Sequence, residues 1–146
     1  MNSFSKIEIL DSTLREGEQT PGVSFTIKQK VTIAKLLDDF GVDFIELGHP
    51  AVSPDVYAAV ETLNDLDLKV KKMAHGRASK SDINDATAIG VEWMGIFFGT
   101  SPLSLKHKFN VSKKRSAGTN PNDSEIWKGQ RSQVAIYCGR RQSYWI

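Results

Sequence analysis

One short segment of the chain concentrates side chains that could carry chemistry. Within nine residues it holds three carboxylates, one guanidinium and one amide, namely Asp11, Glu16, Glu18, Arg15 and Gln19. Carboxylate oxygens are ligands that a hard divalent cation prefers, and an arginine beside such a cation can stabilise an oxyanion that develops on a carbonyl group. A solvated turn with surface salt bridges has the same composition, and composition by itself favours that second interpretation.

More polar side chains recur later in the chain, each time at or just after the end of an apolar run. They form three pairs: Glu46 with His49, His75 with Arg77, and Thr100 with Ser101. A carboxylate that ends an apolar strand usually has a partner. Each histidine is equally well explained as a structural residue with satisfied ring nitrogens, and His75 is the stronger functional candidate.

These polar residues follow strands in a regular alternation of strand and helix over the first 100 residues. We predict strands over Ile7–Leu10, Val42–Leu47, Lys69–Ala74 and Val91–Phe98, with helices from Thr26 to Gly41, from Ser53 onward, and from Ser79 or Ser81 to Gly90. Gln29 stands three residues after Thr26, which predicts a capping box, and Pro54 occupies the first position of the second helix. The lysines of the third strand must lie at its ends or turn outward.

An alternation of single strands and single helices predicts a parallel sheet with right-handed crossovers. A doubly wound sheet and a TIM barrel both satisfy that pattern. Polar residues after every strand favour the barrel, whose chemistry lies at the carboxyl ends of its strands, and no GxGxxG follows the first strand. A complete barrel needs about 200 residues or more, so we predict an α/β chain with the first four β/α units of a (β/α)8 barrel and an irregular C-terminal tail.

Composition excludes several classes of protein. The chain has 146 residues, 40% of them hydrophobic, and a net charge of +2, which is typical of a globular domain and too small to indicate a nucleic-acid partner. No apolar run of about 18 residues could span a membrane, and residues 1–6 lack an apolar signal core, so we expect a cytoplasmic protein. The single cysteine, Cys138, excludes a disulfide framework and a multi-cysteine zinc site.

The pattern changes character after residue 115. We therefore divide the chain into residues 1–115, the N-terminal half of a barrel, and residues 116–146, a tail without apolar period. A disordered linker and a tail translated out of frame are both compatible with this composition, and we favour the second. With only four strands, the outer edges of the first and fourth strands are expected to lack partners.

The segment Asp11–Phe25 closely resembles the signature of the homocitrate synthase and 2-isopropylmalate synthase family of DRE-TIM metallolyases, whose catalytic domain is pyruvate-carboxyltransferase-like. The resemblance continues, in the same order, through residues 45–50, 75–77 and 99–101, and covers residues 5–115. It implies an enzyme that removes a proton from the methyl group of acetyl-CoA and adds the enolate to a 2-oxo acid. A divalent metal, Mg²⁺, Mn²⁺ or Zn²⁺, holds the 2-oxo acid in such enzymes, and a homodimer is the expected assembly.

The resemblance also implies roles for single residues. Glu16 matches the metal-binding carboxylate, and Arg15 matches the arginine that stabilises the oxyanion at the keto group, with Asp11 orienting it. The remaining matches contact the bound acids or line the substrate pocket, and they are Gln19, Glu46, His75, Arg77, Thr100 and Ser101.

One part of the family's site has no counterpart. The family completes its metal site with a His-x-His pair, and no such pair occurs in this sequence. We therefore expect no turnover from this chain alone. The alternative is a catalytically dead fragment or paralogue that acts only by associating with a full-length partner. The choice among 2-oxoglutarate, 2-oxoisovalerate and pyruvate stays open, and a lyase for 3-hydroxy-3-methylglutaryl-CoA ranks below the synthases.

Overall fold

The computed structural model describes residues 7–98, 133–138 and 142–145, and for Phe98 and the two later segments it describes the backbone alone. The helices are α1 (Ile27–Phe40), α2 (Pro54–Asn64) and α3 (Lys80–Ile89). The strands are β1 (Leu10–Asp11), β2 (Phe44–Gly48), β3 (Lys71–Arg77), β4 (Trp93–Phe98), β5 (Gln133–Cys138) and β6 (Gln142–Trp145). Among the helices of the part described, none has the length and apolar character needed to cross a bilayer.

Helix α1 begins and ends where its sequence predicts. The Thr26 hydroxyl accepts a hydrogen bond from the backbone N–H of Gln29, and the Gln29 side chain accepts one from the backbone N–H of Thr26, so the capping box is confirmed. At the other end Gly41 has a φ of 88°, in the left-handed region that glycine enters without steric cost. Local sequence therefore fixes both limits of this helix.

The other two helices are also capped by serine. Ser53 accepts from the backbone N–H of Val56, with Pro54 at the first helical position. Of the two candidates for the cap of α3, the structure selects Ser79, which accepts from the backbone N–H of Asp82. This cap places the third residue of α3 close to the end of β3.

The sheet has the strand order β1-β2-β3-β4-β5-β6. The pairs from β1 to β5 are parallel, and β6 is antiparallel to β5. A doubly wound sheet reverses its strand order at a switch point, whereas a barrel adds each new strand to the outer side of the last one. The sequential order therefore confirms the barrel arrangement over the doubly wound sheet.

The edges of the sheet differ from the expectation for four strands. β4 pairs with β5 along its length, from Trp93 opposite Gln133 to Phe98 opposite Cys138. The prediction that the fourth strand lacks an outer partner is therefore wrong, because backbone groups of the tail satisfy that edge. β5 and β6 both lie inside residues 116–146, where the sequence indicated no strand.

The strands have other limits than predicted: β2 and β4 each begin two residues later and β2 ends one residue later, and the first and third strands differ more. β1 is two residues long because the N–H of Ile9 bonds to the Asp43 side chain at 2.9 Å rather than to a neighbouring strand. The lysines at the start of β3 lie at the strand end, as required. Lys71 bonds Glu8 at 2.8 Å and lies over the Phe44 ring, while Lys72 donates to one backbone carbonyl group at the end of α2 and one in the loop before β3.

Two apolar layers pack on the two faces of the sheet. The larger layer joins the sheet to the helices and includes Leu14, Ile45, Leu47, Val60, Leu63, Ile83 and Met94. On the opposite face Phe44 and Met73 are buried against Leu10 and Trp93. The candidate site lies at the carboxyl ends of β1, β2 and β3.

Candidate active site

The centre of the site is Glu46, on β2, which is 1% exposed. Its Oε1 accepts a hydrogen bond from Nδ1 of His75, on β3, at 2.8 Å. Its Oε2 accepts one from the Ser12 hydroxyl at 2.5 Å and lies 2.9 Å from Nε of Arg15. Three sequence-predicted site residues, Arg15, Glu46 and His75, are thus brought together by the ends of β1, β2 and β3.

The electrostatics of this cluster favour a charged Glu46. Burial raises the pKa of its carboxyl group, but the hydrogen bonds from His75 and Ser12 and the charge of Arg15 outweigh burial, so the net pKa is lowered. The carboxylate is therefore ionised at neutral pH. An ionised carboxylate only accepts hydrogen bonds, which places a proton on Nδ1 of His75.

The loop after β1 holds Arg15 in place through its own backbone. The N–H groups of Arg15, Glu16 and the following glycine all point to the carbonyl oxygen of Ser12, at 3.1, 2.8 and 3.2 Å. Leu14 is fully buried and anchors the loop in the core. As a result the Arg15 side chain is 17% exposed and faces Glu46, whereas that of Glu16 is 56% exposed and forms an ion pair with Arg15.

Glu18 fixes the far end of the same loop. Its Oε2 lies 2.6 Å from Nζ of Lys30, a buried lysine on α1, and its Oε1 accepts from the backbone N–H of Phe25 at 3.1 Å. Glu18 therefore ties the loop to the first helix rather than offering its carboxylate to a ligand.

Asp11 does not have the partner that was predicted for it. Its carboxylate accepts from the backbone N–H and the hydroxyl of Thr13, at 2.9 and 3.2 Å. This is a local turn bond of the kind that aspartate commonly forms two residues on. The prediction that Asp11 orients Arg15 is therefore wrong, since Glu46 and Glu16 are the carboxylates on that guanidinium.

A second polar cluster lies beside the first and centres on Asp82, a residue that the sequence analysis did not single out. Its side chain is fully buried and binds Arg77, His49 and Ser79. Burial raises the pKa of Asp82, and the hydrogen bonds from Arg77, Ser79 and His49 lower it far more, so Asp82 is ionised at neutral pH. The spacing of Ser79 and Asp82, a cap serine followed three residues later by an acid, is the signal that could have indicated it.

The two clusters meet at a pair of histidines. The rings of His49 and His75 lie edge to face, with centroids 5.7 Å apart. Gln19 is exposed, at the end of the 3-10 turn Gly17–Gln19. Thr100 and Ser101 lie outside the described residues.

The part of the chain that the structure describes does not fit a divalent metal by itself. No three histidine, cysteine, aspartate or glutamate side chains converge in a ligand geometry within residues 7–97. Glu16 is exposed enough to offer a carboxylate, but its partner in the structure is Arg15. The chemistry available to these residues is therefore that of a fixed guanidinium beside a histidine with a defined tautomer.

The chain is similar to a known protein family and to enzymes of that fold. The sequence profile described as HMGL-like matches residues 6–130. Homocitrate synthase from Pyrococcus abyssi is 50% identical over 104 residues, which cover 71% of this chain and 29% of that protein. Homocitrate synthase from Saccharolobus islandicus is 48% identical over 122 residues, covering 78% of this chain and 26% of that protein. The chain thus spans less than a third of the length of these relatives.

Solved structures agree on the fold. HMG-CoA lyase from Bacillus subtilis superposes with a TM-score of 0.72 at 20% identity, over 94% of this chain and 48% of that one. Hydroxymethylglutaryl-CoA lyase from Pseudomonas aeruginosa gives a TM-score of 0.73 at 21% identity, over 94% and 47%. The arrangement of strands and helices described above is therefore shared with about half of each lyase chain.

Proposed function

The chain belongs to the HMGL-like family, and we propose that it supplies the N-terminal part of an active site that condenses acetyl-CoA with a 2-oxo acid. The identity to two homocitrate synthases supports a synthase over a lyase, since the lyases share only the fold. 2-Oxoglutarate is therefore the first substrate to test, ahead of 2-oxoisovalerate and pyruvate.

The observation that carries this proposal is the position of Glu46 between Arg15 and His75. A buried carboxylate that binds both groups fixes their geometry before substrate arrives, which is how preorganised electrostatic stabilisation works. Arg15 can then stabilise the negative charge that develops on the keto oxygen during the condensation. Because Glu46 is itself buried, we assign it a positioning role rather than direct contact with substrate.

His75 contributes a defined hydrogen-bonding group. Its Nδ1–H group donates a hydrogen bond to Glu46, so in the neutral ring Nε2 carries no proton and can accept a hydrogen bond. Such an atom can bind a substrate hydroxyl or hold a proton during the reaction. Arg77, Gln19, Thr100 and Ser101 stay predicted contacts of the bound acids.

A divalent metal remains an expectation for an intact member of the family. When bound, it would act as a Lewis acid on the 2-oxo acid. Glu16 is the predicted ligand, and the described residues do not complete its site. For the same reason we expect the chain alone to release no thiol from acetyl-CoA. A homodimer and a cytoplasmic location also stay predictions.

A chimaera tests the proposal directly. The matching part of Pyrococcus abyssi homocitrate synthase is replaced by this chain up to Phe98, the end of β4. Thiol release from acetyl-CoA is then followed with each 2-oxo acid and with Mg²⁺ or Mn²⁺. We expect turnover that Arg15→Lys lowers by about 100- to 1000-fold, the usual cost of losing one oxyanion donor.

Lys28→Arg, on the exposed face of α1, is the matched control because it changes a cation without touching the site. A folded chimaera that releases no thiol, while the parent enzyme does, would contradict the proposal and favour the catalytically dead alternative. Cleavage of 3-hydroxy-3-methylglutaryl-CoA without condensation would instead identify a lyase.

A further inference from the structure

The Asp82 carboxylate accepts more hydrogen bonds than its place in a helix cap explains. Its Oδ2 receives the backbone N–H of Arg77 at 2.8 Å, Nε of Arg77 at 2.9 Å and Nε2 of His49 at 2.7 Å. Its Oδ1 receives Nη2 of Arg77 at 2.9 Å and the Ser79 hydroxyl at 2.7 Å. Every one of these donors belongs to the end of β2, the end of β3 or the turn that follows it.

Capping alone does not require this arrangement. Ser79 already caps α3, and the third residue of a capping box would bond the cap residue's own N–H. Asp82 instead bonds the N–H of Arg77, two residues earlier. A buried charge is costly unless it is paired. The Asp82 carboxylate is therefore explained by the groups that it binds rather than by capping.

The backbone next to Asp82 is shaped for this close approach. A Cβ atom placed on Gly76, in β3, would lie 3.3 Å from Cβ of Asp82 and would collide with the end of the Met94 side chain. The absence of a side chain at Gly76 therefore lets the first turn of α3 lie directly against β3.

We propose that Asp82 is a positioning residue for the active site, holding Arg77 and His49 at the carboxyl ends of the strands and, through the His49 ring, setting the place of His75. The proposal rests on the proposed function, in which Glu46 and His75 serve the condensation. His49 is the link, because its ring bonds Asp82 on one side and packs edge to face on His75 on the other.

The same arrangement prepares Arg77 for an anion. Nε and Nη2 both face Asp82, so the opposite edge of the guanidinium, with Nη1, faces away from it. The side chain is 63% exposed, which leaves that edge accessible. A guanidinium held along one edge loses little freedom when its other edge binds a carboxylate, and a 2-oxo acid carries such a group.

Histidine ring NMR on the full chain tests the positioning without any need for activity. The ¹⁵N-labelled protein has three histidines, which are assigned with His49→Gln, His75→Gln and His107→Gln. We expect the neutral His49 ring to carry its proton on Nε2, and that of His75 on Nδ1. A His49 proton on Nδ1 in the unmodified chain overturns the proposal.

Two variants then test the link. Asp82→Asn removes the charge at constant shape, and we expect the ring resonances of His75 to shift because the His49 ring packs on His75. His49→Gln leaves the Asp82–Arg77 pair intact and should shift the ring resonances of His75 in the same direction. This second variant still tests the link if Asp82→Asn does not fold. Unmoved His75 resonances in folded His49→Gln contradict the proposal.

Ser53→Ala is the matched control, because it removes the cap of α2 and leaves both clusters untouched. In the active chimaera Asp82→Asn should lower kcat/KM by about 10- to 100-fold, the effect that loss of a hydrogen-bond partner has where it orients a metal-ligating residue. Ser53→Ala should leave it unchanged. An inactive chimaera with the expected ring spectra counts against the proposed function alone, whereas an active chimaera indifferent to Asp82→Asn overturns the positioning role.

Discussion

Replacement of Glu46 by glutamine removes one charge from the centre of the site at almost constant volume. The glutamine amide can accept from His75 or from the Ser12–Arg15 side, and its NH₂ group must then face a donor on the other side. Breaking a buried ion pair by changing one partner costs about 3–5 kcal/mol. We therefore expect the free energy of unfolding of the full chain to fall by about that amount at neutral pH.

The cost should depend on pH in a defined direction. The folded-state pKa of Glu46 lies below its ordinary value of 4.5. A carboxyl group with a lowered folded-state pKa stabilises the fold above its unfolded pKa and loses that contribution as the pH falls through the folded value. The difference between the unmodified chain and Glu46→Gln should thus be constant above about pH 4.5 and shrink below it.

Urea unfolding followed by circular dichroism measures both effects, with an equal concentration of stabilising osmolyte in every sample so that the folded baseline of Glu46→Gln is defined. Glu8→Gln is the matched control, because Glu8 pairs with Lys71 while both side chains are about a third exposed. Such a pair contributes about 0–1 kcal/mol. Equal costs for the two variants, or a Glu46→Gln difference that persists unchanged in acid, would refute the assignment of Glu46 as a buried ionised centre.

Three further substitutions test the elements that position the site. Thr26→Ala should lower the free energy of unfolding by about 0.5–2 kcal/mol through loss of the capping box, and Thr62→Ala, on the exposed side of α2, should change it little in the same urea titration. Gly76→Ala should cost about 1–3 kcal/mol, because the added methyl group overpacks the contact between β3 and α3; an unchanged urea midpoint would contradict that contact. Lys30→Met should cost about 1–3 kcal/mol, because it leaves the Glu18 carboxylate without its buried cation, and proteolysis at the loop after β1 should accelerate in parallel; equal proteolysis rates would show that this pair does not secure the loop.

Local sequence predicted the helices well because their limits depend on neighbouring residues. The hydroxyl of Thr26, the fixed φ of Pro54 and the left-handed conformation of Gly90 each act within one helical turn. The strands were less predictable at their ends, since a strand's limits depend on residues distant in the sequence. β1 is short because the N–H of Ile9 bonds to the Asp43 side chain, and β3 extends to Arg77 because β4 lies beside it as far as Phe97.

In the site, too, some residues were predictable from the sequence and others were not. The order of motifs along the sequence was enough to select Arg15, Glu46 and His75 as members of one site, and the structure brings them together. Asp82 was missed because its role depends on His49, just after β2, and on Arg77, at the end of β3, rather than on its neighbours in α3. Asp11 was assigned to Arg15 from the family motif that it begins, but its short side chain bonds Thr13 instead.

The sequence by itself determined the order of elements, the helix caps and the residue types of the site, because hydrophobic period, capping and motif spacing are properties of adjacent residues. Only the tertiary structure decided which carboxylate each cation receives. Arg15 pairs with its neighbour Glu16, but it also receives Glu46, 31 residues away in the sequence, since parallel pairing of β1 with β2 brings that buried carboxylate to it. A buried carboxylate must find its donors within the fold, and the strand order decides which donors are in reach.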